Sequence, residues 1–513
     1  MLELLRNRRT LIPLLLAVLL PTILFSTVRI LFTPYGQESS EDAFWHAAAG
    51  RRSVPEMVSK TFPLTLSVWR DHYADKELVF HFLLKVYCGI KTLFHSEVFP
   101  PFNGAAAFFI LLFFIAFVTA AYSLGISPPN ILLSSLLCGA FLPNFSYRLL
   151  MMRPHVFSMA LMMFAVAILG RGPRERRTCL WMFGLSFLYA WSYSTPHLVC
   201  IAAFLFGIAY WLQDRWRAFS AFGASVAGVF CGLLIHPQVP NTFLVWKIQA
   251  LDALLAPISG TVANIPFARE LLPPRFRWIL LALPALIGMY FCLMILIRAL
   301  EKRGLRSIPP NVLALTLSAF FWICAMCLIS IRPVEYAVPT LCLAGFLLIQ
   351  YAREMALFRF FDKPWKYVLL ISLSILVCGF FTLRQCITNL RDWCRPAPVE
   401  LAKALHQNVP KGSRVVNIIW SDFPYLYFVA PEYEYTWALD PMFGYAFDSA
   451  KASAIGSIAA DGKRRSPSEL HAITGADYAV VLFENNYCGR FLTLCGWRPL
   501  YKGKDGWIFK LVP

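Results

Sequence analysis

Long apolar runs, separated by short charged segments, dominate this 513-residue sequence and restrict what it can fold into. A helix needs about 20 apolar residues to cross a bilayer, and inside lipid the backbone polar groups must be satisfied within the protein. The sequence therefore predicts a membrane all-α polytopic bundle. We place eleven spans near residues 11–32, 104–124, 129–147, 154–170, 178–194, 196–213, 218–235, 277–299, 311–331, 333–351 and 366–386.

The charge of the chain agrees with a membrane protein. Only 15% of the residues are charged and 58% are hydrophobic, whereas a soluble protein carries about a quarter charged residues. The formal net charge of +18 could suit nucleic acid, but the Lys and Arg residues cluster between apolar runs. That distribution is the positive-inside pattern and suits anionic membrane lipid, so we expect no nucleic-acid partner.

The positive clusters also predict an orientation. Arg6, Arg8 and Arg9 precede an apolar run that is too long for a signal-peptide core, so we interpret it as an uncleaved first span with a cytoplasmic N-terminus. An odd number of spans then places the C-terminal region outside, most simply across a bacterial inner membrane. The predicted inner loops hold Arg171, Arg174, Arg176 and Arg177; Arg215 and Arg217; Arg298, Lys302, Arg303 and Arg306; and Arg353, Arg359, Lys363 and Lys366.

Two predicted outer segments are long, and the composition changes near residue 395. Residues 33–103 and 236–276 should contain interfacial helices at 75–84 and 246–255. Glu77 and His81 are four residues apart on the first of these helices, which we predict to be amphipathic. We predict a transmembrane domain over 1–394, with its large outer loop at 33–103, and a small α/β extracytoplasmic domain over 395–513. The expected elements of that second domain are helices at 397–407 and 466–474, strands at 414–419 and 477–483, and a hairpin within 498–512.

The first outer segment opens with a carboxylate and an imidazole on one predicted helix. Glu41 and Asp42 follow Ser40, and acids are favoured in a first helical turn. Asp42 and His46 are four residues apart and would share a helix face. Gly50 could end the helix. Asp42 suits a general base, although a helix-start charge would explain it equally well.

Further polar residues, Arg148 among them, lie at the outer ends of spans. Ionisable residues at membrane depth are costly and are often functional, and several cations facing one outer cavity would suit a phosphate-bearing lipid. Snorkelling arginines, histidines satisfied within the bundle and a structural ion pair between Arg332 and Glu335 are the simpler alternatives. The candidate residues are Arg153, His155, His197, His236, Arg332 and Glu335.

Short motifs give the chain a family resemblance. Asp42-x-x-x-His46 lies in the first outer loop, and Arg153-Pro-His-Val-Phe157 lies at a span start. The C-terminal region contains Asp-Phe-Pro-Tyr-Leu at 422–426 and Leu-Asp-Pro-Met-Phe at 439–443. With a first span, a large outer loop, many further spans and an outer α/β domain, the chain resembles the GT-C glycosyltransferases. That superfamily includes oligosaccharyltransferase catalytic subunits, protein O-mannosyltransferases and aminoarabinose transferases.

The resemblance implies transfer of a sugar from a polyprenyl-phosphate donor to an extracytoplasmic lipid, glycan or protein. Asp42 would be the general base, beside Glu41 and His46. Arg153, Arg332 and His155 would stabilise the leaving phosphate. A clear Asp-x-Asp pair is missing, so the metal is open: Asp42, Asp71 and Asp75 are the candidate ligands for Mg²⁺ or Mn²⁺.

Other functions also fit these features. A transporter or flippase of a lipid-linked sugar would use intramembrane charges, although we find no inverted repeat. A non-catalytic assembly protein and a polymerase or ligase of surface polysaccharide are further alternatives. Cys488 and Cys495 would lie in an oxidising compartment, where a disulfide and two free thiols are both compatible with their spacing.

The orientation leads to a first prediction. Alkaline phosphatase fused after residue 400 should be active in a bacterial host, because the positive loops place that point outside. The matched measurement is a cytoplasmic reporter fused at the same residue, which should be inactive. A well-expressed but inactive phosphatase fusion beside an active cytoplasmic reporter would reverse the orientation.

Overall fold

A computed structural model describes residues 8–94, 97–173, 175–212, 218–253, 255–256, 270, 274–361, 363–483 and 487–512. Arg6, Arg174, Arg215 and Arg217, which helped to predict the orientation, lie outside these residues, as does much of 236–276. Contacts divide the chain into two units. The first comprises Met1–Thr33, Asn103–Gly232 and Glu270–Trp393, and the second comprises Pro34–Phe102, Leu233–Arg269 and Cys394–Pro513. The predicted domain boundary near residue 395 stays a prediction.

The first unit is built from apolar helices, as expected for a chain whose backbone must be satisfied within each segment. Its helices are Arg8–Phe32, Asn103–Ser123, Pro128–Ala140, Pro143–Leu150, Pro154–Leu169, Arg176–Ala190, Leu198–Trp211, Ser220–Ile235, Phe276–Leu281, Leu283–Arg303, Pro310–Leu328, Val334–Glu354 and Pro364–Trp393, with a 3₁₀ turn at Leu305–Ser307. Several begin with proline in the first turn, where its missing N–H costs nothing.

The predicted number of spans is not confirmed. Over the described residues, six helices are long and apolar enough to cross a membrane, or seven if one bent pair counts as a span. The predicted span 129–147 is interrupted between Ala140 and Pro143. The predicted spans at 178–194, 196–213 and 218–235 form helices of 15, 14 and 16 residues, which are shorter than the usual spanning length of about 20.

Close helix packing within this unit depends on small residues. A Cβ added at Gly228 would lie 2.3 Å from the carbonyl oxygen of Phe183. The helix Ser220–Ile235 can therefore approach Arg176–Ala190 only because this position lacks a side chain. Membrane helices commonly pack through such positions, since association in lipid relies on close van der Waals contact.

The second unit combines short helices with a mixed sheet. A Cβ added at Gly50 would lie 2.9 Å from Cβ of Leu84, so Gly50 allows two helices to pack closely. The helix that Gly50 was expected to end continues to Arg51. The helices of this unit are Asp42–Arg51, Val54–Met57, Trp69–His72, Leu78–Leu93, Asn241–Trp246, the π-helix Lys247–Asp252, Val399–Asn408, the 3₁₀ turn Trp420–Asp422, Phe423–Val429, Pro441–Phe447, Ser449–Asp461, Pro467–Thr474 and Tyr487–Leu494.

Seven strands form two sheets. They are β1 Gln37–Glu38, β2 Arg395–Pro396, β3 Arg414–Asn417, β4 Glu434–Tyr435, β5 Tyr478–Leu482, β6 Pro499–Gly503 and β7 Gly506–Lys510. β1 and β2 pair antiparallel, and the larger sheet has the order β4-β3-β5-β7-β6. β3 is parallel to β4 and β5, with Val416 opposite Ala479, whereas β7 is antiparallel to both β5 and β6. The apolar core of this sheet includes Val481, Phe509 and Trp497.

The elements predicted beyond residue 395 are confirmed with small shifts in their ends. The predicted hairpin is β6–β7. The predicted helix at 466–474 begins after Ser466, whose hydroxyl accepts a hydrogen bond from the Glu469 N–H, while the Glu469 carboxylate accepts one from the Ser466 N–H. This reciprocal capping box is readable from sequence alone.

No disulfide joins Cys488 and Cys495 in the structure. Cys488 lies on the helix Tyr487–Leu494 and Cys495 follows its last residue. Seven helical residues rise about 10 Å, whereas the Cα atoms of a disulfide are usually less than about 7 Å apart. Burial raises the pKa of the Cys488 thiol to about 12, which opposes formation of the reactive thiolate.

We therefore predict that unreduced protein from an oxidising compartment contains two alkylatable thiols at these positions. After denaturation without reductant, iodoacetamide should label Cys488 and Cys495 in peptide mapping by mass spectrometry. Denaturation is needed because Cys488 is buried. Cys386, which is also buried and is in no disulfide, provides a control for complete labelling. A cross-linked peptide pair that lacks both labels would contradict the helix geometry.

Candidate active site

A sharp break between two helices of the first unit separates Arg148 from Arg153. The helices Pro143–Leu150 and Pro154–Leu169 meet at 110°. Proline cannot continue a preceding helix, and it fits the first turn of the next one. At the break, Nε2 of His155 donates a hydrogen bond to the carbonyl oxygen of Arg148 at 2.9 Å. That carbonyl also accepts a hydrogen bond from the Met151 N–H at 3.2 Å, so His155 adds a second donor at the end of the helix.

Three arginines surround the carboxylate of Glu270. Nη1 of Arg148 lies 2.7 Å from Oε2, and Nε of Arg332 lies 3.2 Å from Oε1. Nη2 of Arg153 lies 3.6 Å from Oε1. Nε of Arg148 also donates to Oε1 of Glu335 at 2.7 Å. We call these five residues the arginine cluster.

The arginine cluster is partly buried and has more positive than negative charge. Arg148 and Glu335 are buried, whereas the side chains of Arg153, Arg332 and Glu270 are 18%, 27% and 20% exposed. Burial alone would raise the pKa of Glu270, but the charges of Arg332, Arg148 and Arg153 hold that pKa well below its usual range. The cluster therefore contains three cations and two carboxylates, with Glu270 ionised.

The structure brings together several of the residues predicted to bind phosphate. Arg153, Arg332 and Glu335 belong to the arginine cluster, and His155 supports its backbone. His197 is half-buried and precedes the helix Leu198–Trp211. Sequence reasoning missed two members. Arg148 was recognised only as a polar residue at a span end, and Glu270 carried no recognisable signal.

The second unit contains a chain of buried hydrogen bonds that starts at Asp75. Oδ2 of Asp75 lies 2.7 Å from Nδ1 of His81, and Nε2 of His81 lies 2.8 Å from Nδ1 of His46. Glu77 lies beside it, with Oε2 at 3.8 Å from Nδ1 of His46. We call Asp75, His81 and His46 the histidine relay. All three side chains are buried.

Backbone and helix geometry hold the histidine relay in place. Asp75 precedes the helix Leu78–Leu93, and its Oδ1 accepts a hydrogen bond from the Glu77 N–H at 3.0 Å. The Asp75 N–H donates to Oε1 of Gln238 at 2.7 Å. His46 is on the helix Asp42–Arg51, which packs closely against Leu84 through Gly50. Glu77 and His81 had been recognised only as neighbours on an amphipathic helix.

The hydrogen bonds define which atoms carry protons. Burial would raise the pKa of Asp75, but its interactions with His81 and the Glu77 N–H hold that pKa below the ordinary value. An ionised carboxylate only accepts hydrogen bonds, so Nδ1 of His81 carries a proton. In the neutral tautomer with its proton on Nδ1, His81 accepts a hydrogen bond at Nε2 from Nδ1 of His46. Nε2 of a neutral His46 is then the basic nitrogen of the histidine relay.

The acidic candidates of this unit have different surroundings. Asp42 begins its helix and is partly exposed, whereas Glu41 is exposed. Burial raises the pKa of Glu77; the charges of Lys76 and His81 oppose this shift, and those of Asp75 and Asp42 add to it. Asp71 is exposed and lies 3.6 Å from Arg70. Glu77 is therefore the carboxyl group whose environment most disfavours ionisation among these.

His236 also lies in the second unit, not among the residues of the arginine cluster. Its Nδ1 accepts a hydrogen bond from the Gln238 N–H at 3.2 Å, and Gln238 in turn supports Asp75. Burial lowers the pKa of His236 to about 4, although the charge of Asp75 opposes this shift. His236 is therefore neutral at physiological pH and supports the loop that holds Asp75.

Three residues around the histidine relay have a donor set suited to a metal ion. Among the described residues, His46, Glu77 and His81 offer ligand atoms within 4.8 Å of one another. Asp75 on the other nitrogen of His81 is the kind of outer partner that orients metal-binding imidazoles. Two imidazoles and a carboxylate suit Zn²⁺ or a similar transition metal better than Mg²⁺. This set differs from the expected ligands Asp42, Asp71 and Asp75.

A cleft of about 890 Å³ lies at the other end of the helix that starts at Asp42. Arg51, Lys85, Glu97 and Phe428 are among its lining residues, and the Arg51 guanidinium carbon is 4.1 Å from the centre of the Phe428 ring. Neither Asp42 nor any residue of the histidine relay lines the cleft. We therefore do not assign the candidate active site to this cleft, despite its volume.

Comparisons with known proteins give a fold but no family assignment from sequence. No protein-family model and no curated protein matches the chain. The oligosaccharyltransferase of Archaeoglobus fulgidus in its apo form is similar in structure, with a TM-score of 0.60 and 10% identity over 92% of this chain and 70% of that one. The same enzyme tethered to an acceptor peptide containing a sequon also matches, with a TM-score of 0.60 and 12% identity over 100% of this chain and 75% of that one.

Two further structures have the same fold. ArnT from Cupriavidus metallidurans bound to undecaprenyl phosphate has a TM-score of 0.54 and 13% identity, over 96% of this chain and 98% of that one. The mycobacterial arabinofuranosyltransferase AftD has a TM-score of 0.54 and 14% identity, over 97% of this chain but 41% of that one. The predicted resemblance is confirmed: the chain has the fold of GT-C glycosyltransferases. With its candidate spans, it is an integral multi-pass membrane protein.

The histidine relay yields a stability prediction. Asp75→Asn should lower the free energy of unfolding by about 2–4 kcal/mol, because it removes the buried charge that holds His81. Since the folded pKa of Asp75 is lowered, its contribution is complete above about pH 4 and is lost as pH falls through the folded pKa. Thermal melting in detergent should show a gap between wild type and variant that narrows below about pH 4.

The exposed Asp71 supplies the control, because Asp71→Asn makes the same chemical change four residues earlier in the chain. That variant should melt with the wild type at every pH. Equal melting of Asp75→Asn and wild type at pH 7 would show that the buried Asp75–His81 pair contributes no net stability.

Proposed function

We propose that this protein is a membrane glycosyltransferase that transfers a sugar from a polyprenyl-phosphate donor to an extracytoplasmic acceptor. The observation that carries the proposal is the position of Asp42 within a GT-C fold. It is partly exposed at the start of a helix whose His46 ends a buried carboxylate–imidazole chain. A carboxylate that a substrate can reach, on a rigidly held helix, suits a general base.

In the proposed reaction, a hydroxyl or amine of the acceptor attacks the anomeric carbon of the donor sugar. A new bond forms from the acceptor atom to that carbon, and the bond from the carbon to the phosphate oxygen breaks. The acceptor proton passes to the Asp42 carboxylate, and the bonding electrons leave with the lipid phosphate. Precise placement of base and acceptor matters, since a misplacement of about 1 Å can cost a hundredfold in rate.

The arginine cluster is proposed to stabilise the leaving phosphate. Arg153 and Arg332 are partly exposed, so an anion can reach them, whereas the buried Arg148 is fixed by Glu335. Guanidinium groups present several N–H donors in a fixed plane that matches phosphate oxygens. Charge stabilisation of this kind counts most in a site from which water is excluded. His155 contributes by holding the backbone of Arg148.

A divalent cation fits the histidine relay if the bond between His46 and His81 opens. His46, Glu77 and His81 would hold it, and Asp75 would orient His81. A bound cation would supply positive charge and Lewis acidity at these three residues. Even with no cation bound, the relay fixes the rotamer of His46. Because Asp42 lies four residues before His46 on the same helix face, the relay also holds the part of the helix that carries Asp42.

The known structures support a lipid-linked donor in general terms. ArnT is bound to undecaprenyl phosphate, and the oligosaccharyltransferase is tethered to an acceptor peptide. We extend the donor class to this chain because its arginine cluster offers the matching charge. The proposed location is a bacterial inner membrane, with the N-terminus cytoplasmic and the acceptor on the periplasmic side.

The general base is tested by Asp42→Asn. Transfer from tritiated undecaprenyl-phosphate hexoses and pentoses should be abolished, because the amide cannot take up the acceptor proton while its shape is nearly that of the acid. Asparagine also suits a helix start, so the free energy of unfolding, measured by thermal melting, should change by less than about 1 kcal/mol. Asp42→Glu should lose about a hundredfold in rate.

Glu41→Gln provides the matched comparison at the exposed neighbouring carboxylate. A folded Asp42→Asn protein that transfers label at the wild-type rate would contradict the proposal. If Glu41→Gln alone abolished transfer, the base would be Glu41.

The phosphate role is tested at Arg332, whose side chain is the most exposed of the three arginines. Arg332→Ala should reduce kcat/KM by a factor that corresponds to about 2–4 kcal/mol of lost transition-state stabilisation, because a hydrogen-bond donor to the developing charge is removed. Arg332→Lys should restore only part of the activity, since an ammonium lacks the planar fork. Normal turnover of both variants, measured with the same tritiated donors, would exclude a contact between Arg332 and the phosphate.

A further inference from the structure

The carboxylate of Glu270 occupies the position at which the three guanidinium groups would bind an anion. Oε2 of Glu270 accepts from Arg148 at 2.7 Å, and Oε1 accepts from Arg332 at 3.2 Å and lies 3.6 Å from Arg153. Each carboxylate oxygen thus uses N–H donors that a phosphate oxygen would also use.

We propose that Glu270 is an internal competitor for the phosphate of the lipid substrate. It neutralises the arginine cluster when no donor is bound, and a bound phosphate must displace its carboxylate. This proposal rests on the proposed function, because it assigns a regulatory residue to the same phosphate site.

The charges of the arginine cluster favour competition between Glu270 and a phosphate over a purely structural ion pair. Glu335 is buried and bound to Arg148, so it stays with the cluster. When the Glu270 carboxylate leaves, the three arginines and Glu335 have two positive charges in excess. A lipid monophosphate carries between one and two negative charges, so it can replace the carboxylate without leaving a large uncompensated charge.

Exposure supports the same conclusion. Glu270, Arg153 and Arg332 each retain between 18% and 27% exposure, whereas Arg148 and Glu335 retain 5% and 1%. The partners of Glu270 that an entering anion must reach are therefore those at the surface, and the buried ion pair remains intact. A purely structural set of ion pairs does not require exposed arginines beside a separate buried pair.

Competition has a consequence for turnover. After transfer, the leaving lipid phosphate would remain on three arginines with no competitor, and its release would be slow. An attached carboxylate is always present at a high effective concentration, so Glu270 promotes release of the product and returns the arginines to a compensated state. Glu270 thereby weakens phosphate binding in exchange for faster release.

The test is binding of farnesyl phosphate to purified full-length Glu270→Gln protein in detergent. The glutamine keeps the size of the side chain and removes the competing charge. The dissociation constant should fall at least tenfold relative to wild type, measured from the rise in melting midpoint of each protein over its own unliganded value. Farnesol, which lacks the phosphate, should bind both proteins equally. Glu301→Gln, which removes an exposed carboxylate 3.0 Å from Arg298, should bind farnesyl phosphate as the wild type does.

Inorganic phosphate distinguishes two sources of the same ligand chemistry. A gain for farnesyl phosphate alone supports a lipid ligand, and an equal gain for inorganic phosphate supports competition with free phosphate. Unchanged or weaker farnesyl phosphate binding by folded Glu270→Gln overturns the proposal.

If Glu270→Gln cannot be purified, Glu270→Asp replaces it, because the shorter carboxylate cannot reach all three arginines. Its farnesyl phosphate affinity should rise at least threefold, and an unchanged value overturns the proposal equally. Binding needs no sugar transfer, so a protein that binds as predicted but transfers no sugar contradicts only the proposed function.

Discussion

Ion pairing of arginines among apolar helices is the interaction on which the first unit depends. An isolated buried charge costs several kcal/mol, and removal of one partner from a buried pair is strongly destabilising. The arginine cluster meets this constraint by joining residues from three distant parts of the chain, and Glu270 lies 122 residues from Arg148. The helix break at 110° makes this possible, because it interrupts an apolar segment where Arg148 and Arg153 need polar partners.

In the second unit, buried imidazoles likewise need polar partners. The Asp75 carboxylate is held by the Glu77 N–H and by Nδ1 of His81, and Nε2 of His81 is hydrogen-bonded to Nδ1 of His46. Because each member satisfies the next, the buried chain contains no unsatisfied charge and holds the helix that presents Asp42. The chemistry proposed for Asp42 thus depends on residues that need not contact the substrate. Buried polar networks of this kind are stable only when every partner is present, which accounts for the expected sensitivity to a single amide substitution.

Local signals in the sequence predicted local structure well. The capping box of Ser466 and Glu469 and the hairpin near Gly506 were readable because their partners are only a few residues apart. The number of spans was not, because hydropathy does not register the helix breaks at Pro143 and Pro154. Glu270 escaped prediction because nothing near it in sequence distinguishes it, and its partners are set by tertiary packing. Gly50 was taken for a helix end, although its missing side chain serves close packing against Leu84.

The most direct test of the central claim is an electron cryo-microscopy map of the protein with bound farnesyl phosphate. The account predicts phosphate oxygens within hydrogen-bonding distance, below about 3.2 Å, of the guanidinium groups of Arg332 and Arg153, the two exposed arginines. It also predicts that the Glu270 carboxylate has left the position it holds in the present structure, while the pair between Arg148 and Glu335 is unchanged. A phosphate bound elsewhere, with Glu270 still bonded to Arg148 and Arg332, would contradict the account.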